Sequence, residues 1–208
     1  MRYLKGSATG GACRKVVSSS AAREGLEPLA VSNDKSGMAE TLDPVLPPEV
    51  QDRANRVLEL ACDKERYLAT AESCTGGLLA ALLTDVPGCS HIFERGFVVY
   101  SDDAKCDLLG IAREKVDGCG AVSEEVAREM ARGALRRSNA QLAVSITGFA
   151  GPPGNGDEGE EGLVHFACAA SDGTLDHREE HFGAIGRDGV RIASLEVALE
   201  MLEAALSR

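Results

Sequence analysis

"YLATAESCTGGLLAALLTD", residues 67–85, decides how this chain is read. A short apolar run ends in Glu-Ser-Cys-Thr-Gly-Gly, and an apolar segment with helical spacing follows at once. "YLATAE" reads as a short buried strand, and "TGGLLAALLTD" as a helix stopped before Pro87-Gly88. A strand running straight into a helix opens an α/β unit. Ser73, Cys74 and Thr75 in the turn are three possible nucleophiles, and Gly76-Gly77 lets a ligand or backbone come close. Gly-Gly at a helix start also serves plain helix–sheet packing.

The flanking sequence continues the alternation. Upstream, "PPEVQDRANRVLELACDKER" sets Val50, Ala54, Val57, Leu58 and Ala61 at helical spacing. Downstream, "FERGFVVYS" reads as a strand and "DDAKCDLLGI" as a short helix with an acidic start. "VSEEVAREMARGALRRS" is an amphipathic helix with Ser123 as its N-cap. "QLAVSITGFA" is a strand running into a Gly/Pro/acidic loop over 151–162. "GLVHFACAA" and "TLDHREEHF" form paired strands about Ser171-Asp172-Gly173, and "RDGVRIASLEVALEMLEAAL" closes the chain as a helix. Alternating helices and strands followed by a hairpin predict a three-layer α/β/α domain with a mixed sheet.

Composition narrows the function. At 208 residues and 44% hydrophobic, the chain can bury one substantial core. Its net charge of −11 argues against nucleic acid and suits small-molecule partners. No apolar run approaches the roughly 18 residues that span a bilayer, so no membrane association is expected. Seven cysteines, at 13, 62, 74, 89, 106, 119 and 168, form no C-x-x-C and no metal-like spacing. They read as free thiols in a reducing, cytoplasmic setting. His177 and His181 share a face of either a strand or a helix, but no further ligand completes a metal set. Residues 1–37 differ from the rest, with six basic against three acidic side chains and much Gly, Ser and Ala. The expectation is a disordered leader over 1–46, or an upstream extension of a chain starting at Met38. A transit peptide is the competing reading, since residues 1–23 hold no acid, but the apolar face it needs is poorly formed. The domain is then 47–208.

Three loops begin at strand ends: Glu72–Gly77, Tyr100–Lys105 and Thr147–Gly154. In open α/β sheets ligands gather outside the carboxyl ends of the strands, so the three are expected to converge. The first offers backbone N–H groups at a helix start for an anion, a phosphate or a developing oxyanion. The second brings Lys105 and Tyr100. A lysine beside a serine acts as its general base where burial favours the neutral amine. The third brings Thr147 and a Gly-rich turn. Lys105 and Arg187 are as readily solvated surface charges, and Tyr100 an ordinary strand aromatic. Cys74, at a helix start, competes with Ser73 as nucleophile, and composition does not separate them.

The runs "TAESCTGG", "FERGFVVYSDDAK" with "LLGI", "GAVSEEVAREMARGAL", "AVSITGFAGP" and "GRDGVR" resemble the CinA C-terminal domain family. Its stand-alone members hydrolyse the carboxamide of nicotinamide mononucleotide, giving nicotinic acid mononucleotide and ammonia. The resemblance implies a three-layer α/β/α fold, a homodimer or homotetramer, and neither cofactor nor metal. By position it makes Ser73 the nucleophile, Lys105 its general base and Tyr100 a supporting donor. Thr147 and Arg187 become pocket residues, Arg187 facing the substrate phosphate, with Thr75, Gly76 and Gly77 lining the same pocket. Two stretches depart from the family. Where it commonly has Lys-Pro-Val-Gly, this chain reads "GDEGEEGLV" over 156–164, acids in place of a base. Its Gly-Asp-Arg appears as "IGRD", so Arg187 aligns through its spacing to Arg191. The alternatives are a non-catalytic nucleotide-binding or assembly module of this fold, and a serine amidase for another small amide.

Overall fold

The computed structural model describes residues 46–154 and 159–208; of the leader expected over 1–46 only Leu46 lies in this range, and it is buried in the core rather than part of a leader. Among the described residues the chain runs α1 (Pro48–Asp63), β1 (Leu68–Glu72), α2 (Leu78–Asp85), β2 (Phe93–Val98) and α3 (Asp102–Leu109). It continues through α4 (Arg113–Cys119), α5 (Glu124–Arg136), β3 (Leu142–Gly148), β4 (Leu163–Ala170), β5 (Leu175–His181) and α6 (Gly186–Leu206).

The strands form one mixed sheet in the order β2-β1-β3-β4-β5. β1 lies parallel to β2 and β3, while β3, β4 and β5 run antiparallel in turn. Side-chain alternation then builds two unequal layers. Leu142, Val144 and Ile146 of β3, with Val164, Phe166 and Cys168 of β4, pack under α1, α2 and α6. The opposite face is lined by small residues, Ala69, Ala71 and Ala143, so α5 sits close to it. There the Ser145 hydroxyl donates to the Ala127 carbonyl at 2.6 Å, joining β3 to α5 directly. Gly133 permits the same intimacy between α5 and α3, since a Cβ there would stand 2.6 Å from the Leu109 carbonyl oxygen. This is the three-layer mixed-sheet fold that the alternation predicts.

The longer helices follow from their apolar spacing. Val50, Ala54, Val57, Leu58 and Ala61 of α1 are all fully buried. Burying a valine or leucine contributes roughly 1.5–3 kcal/mol, more than helix propensity supplies. The Ser123 hydroxyl accepts the Val126 N–H at 3.3 Å, capping α5 as expected. Two boundaries differ from the sequence reading. α2 begins at Leu78 rather than Thr75, because Gly76 and Gly77 take left-handed φ of 63° and 93°. α4 was not foreseen: it buries only Val116, too little to mark a periodicity.

Candidate active site

The connection from β1 to β2 carries α2 on one face of the sheet, and that from β2 to β3 carries α3, α4 and α5 on the other. β1, flanked by β2 and β3, is therefore the place where the chain changes sides. Such a switch point opens a crevice at the carboxyl ends of the strands. A cleft of about 680 Å³ lies there, lined from all three strand ends and from the start of α6. Ser73, Tyr100, Lys105, Thr147 and Arg187 all line it. The three loops converge as the sequence predicts.

Ser73 follows β1 directly, and its N–H donates to the Ile146 carbonyl of β3 at 2.9 Å. The serine is thus held as an extension of the ladder, almost wholly buried, with its position set by two strands. Lys105 enters from α3. Ser101 caps that helix by accepting the Ala104 N–H at 3.1 Å, and Lys105 is 1% exposed. Its Nζ lies 3.4 Å from Asp102 Oδ1, a carboxylate that also lines the cleft. A buried lysine head is costly to keep without a polar task, so this placement is informative. Tyr100 stands at the rim, 65% exposed. Thr147 is fully buried, its hydroxyl donating to the Ala121 carbonyl at 2.7 Å, which leaves only oxygen lone pairs toward the cleft. Arg187, in the first turn of α6, lies over Gly151: a Cβ on that glycine would come within 3.0 Å of the guanidinium.

Three of the expected pocket residues lie elsewhere. Thr75, Gly76 and Gly77 do not line the cleft. Thr75 is fully buried and its hydroxyl meets no hydrogen-bond partner among the described residues. The helix-start N–H groups expected to hold an anion are filled by the chain itself. Glu72 Oε2 accepts from Gly77 at 3.0 Å and Leu79 at 3.1 Å, and Oε1 accepts from Ala80 at 2.8 Å. The positive end of α2 is spent on this buried carboxylate. The Leu78 N–H meets the Thr75 carbonyl and the Gly76 N–H the Ser73 carbonyl, so the turn closes on itself. Within it, no carbonyl or carboxylate of the described residues accepts the N–H of Cys74 or Thr75. Arg191 of α6 braces the turn by donating to the Thr75 carbonyl at 2.9 Å. Sequence reasoning passed over Glu72 and used Arg191 only for spacing. The available signal was a carboxylate ending an otherwise apolar strand.

The environment separates the nucleophile candidates. Burial first, then the nearby Glu72 charge, pushes the Cys74 thiol up to about 12, against the opposing pull of its own backbone N–H, Arg191 and Lys105. A thiol so protonated is a poor nucleophile. Thr75 has no access to the cleft. Ser73 remains, with a buried amine lining the same cavity. Of the altered loop, residues 155–158 lie outside the described range. Glu160 turns to the β5 edge, where its carboxylate lies 2.6 Å from His181 Nδ1. No helix among the described residues is long and apolar enough to cross a membrane.

Comparison with known proteins places this arrangement. The CinA C-terminal domain family matches residues 50–206. The nicotinamide-nucleotide amidohydrolase PncC of Escherichia coli K12 is 47% identical over 135 residues, 65% of this chain and 81% of its own length. A CinA-like protein of Chlorobium phaeobacteroides is 58% identical over 102 residues, 49% of this chain but 24% of that protein. The chain spans about a quarter to a third of several such longer relatives. Among solved structures, the competence/damage inducible protein CihA from Agrobacterium tumefaciens superposes with a TM-score of 0.75. It is 45% identical, and the match covers 78% of this chain and 98% of that one. With this cleft, this sheet order and these matches, the chain belongs to the CinA C-terminal domain family.

Proposed function

We propose that this protein is an amidohydrolase that converts nicotinamide mononucleotide to nicotinic acid mononucleotide and ammonia. The observation that carries the reading is one cleft lined by Ser73, a fully buried Lys105 and Arg187. The similarity to the PncC amidohydrolase supports the choice of substrate.

In this reading Ser73 Oγ attacks the carboxamide carbon while its proton passes to the Lys105 amine. Asp102, 3.4 Å from Nζ, stabilises the ammonium that forms. The tetrahedral oxyanion takes the N–H of Cys74, a cleft-lining residue whose N–H meets no carbonyl or carboxylate among the described residues. Glu72 fills the neighbouring helix-start donors, which fixes the turn and steers the anion to the Cys74 N–H. As the C–N bond breaks, the Lys105 proton goes to the departing nitrogen, releasing ammonia and leaving an ester on Ser73. Water, deprotonated by Lys105, then attacks the ester, and Ser73 regains its proton. Arg187 binds the substrate phosphate, a role suited to a forked guanidinium at a cavity mouth. Tyr100 at the rim donates to the bound nucleotide. The test is to incubate the purified protein with nicotinamide mononucleotide and to measure ammonia and the acid nucleotide. Their equal formation supports the reading. Binding without turnover would favour a nucleotide-binding module, and release of ammonia only from other amides would favour a different amidase.

A further inference from the structure

At the opposite end of the sheet from the cleft, three reactive side chains gather. Cys62 lies in the last turn of α1, shortly before β1. Cys89 and His91 lie in the connection that enters β2. The Cys62 Sγ stands 3.9 Å from His91 Nε2, within reach of a sulfur hydrogen bond. His91 Nδ1 lies 3.1 Å from the Gly88 carbonyl oxygen. A carbonyl only accepts, so Nδ1 carries the proton, and in the neutral ring Nε2 is left as the acceptor facing the thiol. The Cys62 S–H therefore donates to a histidine whose tautomer the backbone fixes. Because the His91 ring touches both Cys62 and the Gly88 carbonyl, the residue after Gly88, Cys89, is brought beside Cys62. Both cysteines are half-buried and His91 is exposed, so small molecules reach them.

We infer that Cys62 and Cys89 form a reversible thiol–disulfide site, with His91 as the base that activates Cys62 toward a low-molecular-weight disulfide. This goes beyond the amidohydrolase reading and does not depend on it. The Cys62 S–H gives its proton to His91 Nε2, and the thiolate attacks one sulfur of the small disulfide RSSR. The S–S bond breaks, R–S⁻ leaves and takes up the His91 proton, and a mixed disulfide remains on Cys62. The Cys89 thiol, losing its proton to His91, attacks the Cys62 sulfur and expels the second R–S⁻, which is protonated in turn. Two protein thiols are oxidised to one disulfide, and RSSR is reduced to two RSH. Of the two thiols it is Cys62 that faces the acceptor nitrogen of His91, which makes Cys62 the first to react. Among the described residues no group of three or more His, Cys, Asp or Glu side chains could hold a metal ion, so thiol exchange fits this trio better than a metal. The bridge would tie α1 to the α2–β2 connection, which already pack together through the core.

The test incubates the full chain with glutathione disulfide, blocks residual thiols, and maps the products by proteolysis and mass spectrometry. The expected product is a Cys62–Cys89 bridge, reversed by dithiothreitol, with Tm raised by about 5–10 °C. Cys89→Ser should stop at glutathione on Cys62, and Cys62→Ser should yield no bridge. His91→Gln should slow bridge formation by about tenfold or more, the smaller end of general-base effects. Circular dichroism of each variant checks its fold, and the exposed Cys119 serves as an internal control for simple accessibility. Separate glutathiones on Cys62 and Cys89 without a bridge would overturn the inference. So would modification confined to Cys119, or bridging at an unchanged rate in His91→Gln.

Discussion

Glu72 Oε1 accepts the Ala80 N–H at 2.8 Å, the shortest of three backbone bonds by which one buried carboxylate closes the start of α2. The residue is 1% exposed, so water offers no substitute partner. Glu72→Ala strands one buried and two part-buried donors, and the expected loss is about 3 kcal/mol in unfolding free energy. Glu72→Gln keeps one accepting oxygen and should lose clearly less. Urea midpoints of the two variants check this order. Equal, small losses would show that the turn does not rest on Glu72.

Cys74 is the direct competitor of Ser73, and burial holds it as a neutral thiol, raised to about 12. Cys74→Ala should keep turnover within a few-fold of wild type, and in Cys119→Ser, which removes the exposed thiol lining the cleft, iodoacetamide should not inactivate the enzyme at pH 7. Rapid inactivation that substrate prevents would reverse the assignment.

Arg187 is the cation assigned to the phosphate. Arg187→Ala should raise KM for nicotinamide mononucleotide by about 10- to 100-fold, the scale of a lost charge-assisted hydrogen bond, with a smaller change in kcat. The phosphate-free nucleoside, already weak, should be handled equally by both proteins. A variant that falls equally on both substrates would place Arg187 in a structural role.

The β4–β5 edge carries a pH dependence of stability. His165 Nδ1 and His177 Nε2 lie 3.2 Å apart in stacked rings, against Glu124 of α5 and Glu179 of β5. Burial is the first cause that lowers both histidines from 6.5, outweighing the pull of those acids. Arg128 lowers His177 further, and the His177 and His181 charges lower His165. A histidine lowered in the fold binds protons more weakly there than when unfolded. Its contribution is therefore full above pH 6.5 and is lost as pH falls from 6.5 through the lowered folded values. His181, raised by Glu160 and Glu179, has the opposite sign: its contribution is full below 6.5 and lost as pH rises through its raised value. Tm measured from pH 7 to 5 should thus fall less steeply in His177→Gln than in wild type. A steeper fall in the variant would contradict the assignment.

Much of this was legible in the sequence because periodicity reports burial. The α1 pattern named five residues that are all fully buried. The strand–helix alternation placed the three site loops at carboxyl strand ends, and topology did the rest. What was illegible depends on which partner a polar group finds. Gly76-Gly77 read as room for a ligand, yet the turn's amides point to Glu72, a contact that spacing alone does not reveal. Thr75 sits beside Ser73 in sequence but its side chain goes to the interior. α4 escaped because "REKVDGC" buries a single apolar side chain and is held by α3 and α5 rather than by its own pattern.

The central claim is that Ser73 and Lys105 act together on the carboxamide of nicotinamide mononucleotide. It is tested most directly by following ammonia and acid nucleotide from wild type, Ser73→Ala and Lys105→Met side by side, each shown to be folded by circular dichroism. The prediction is equal amounts of both products from wild type and none above background from Ser73→Ala. Lys105→Met should be slower by roughly a hundredfold or more, the scale of a lost general base, with little change in substrate binding. Turnover by Ser73→Ala at the wild-type rate, or an inert wild type that still binds the nucleotide, would contradict it.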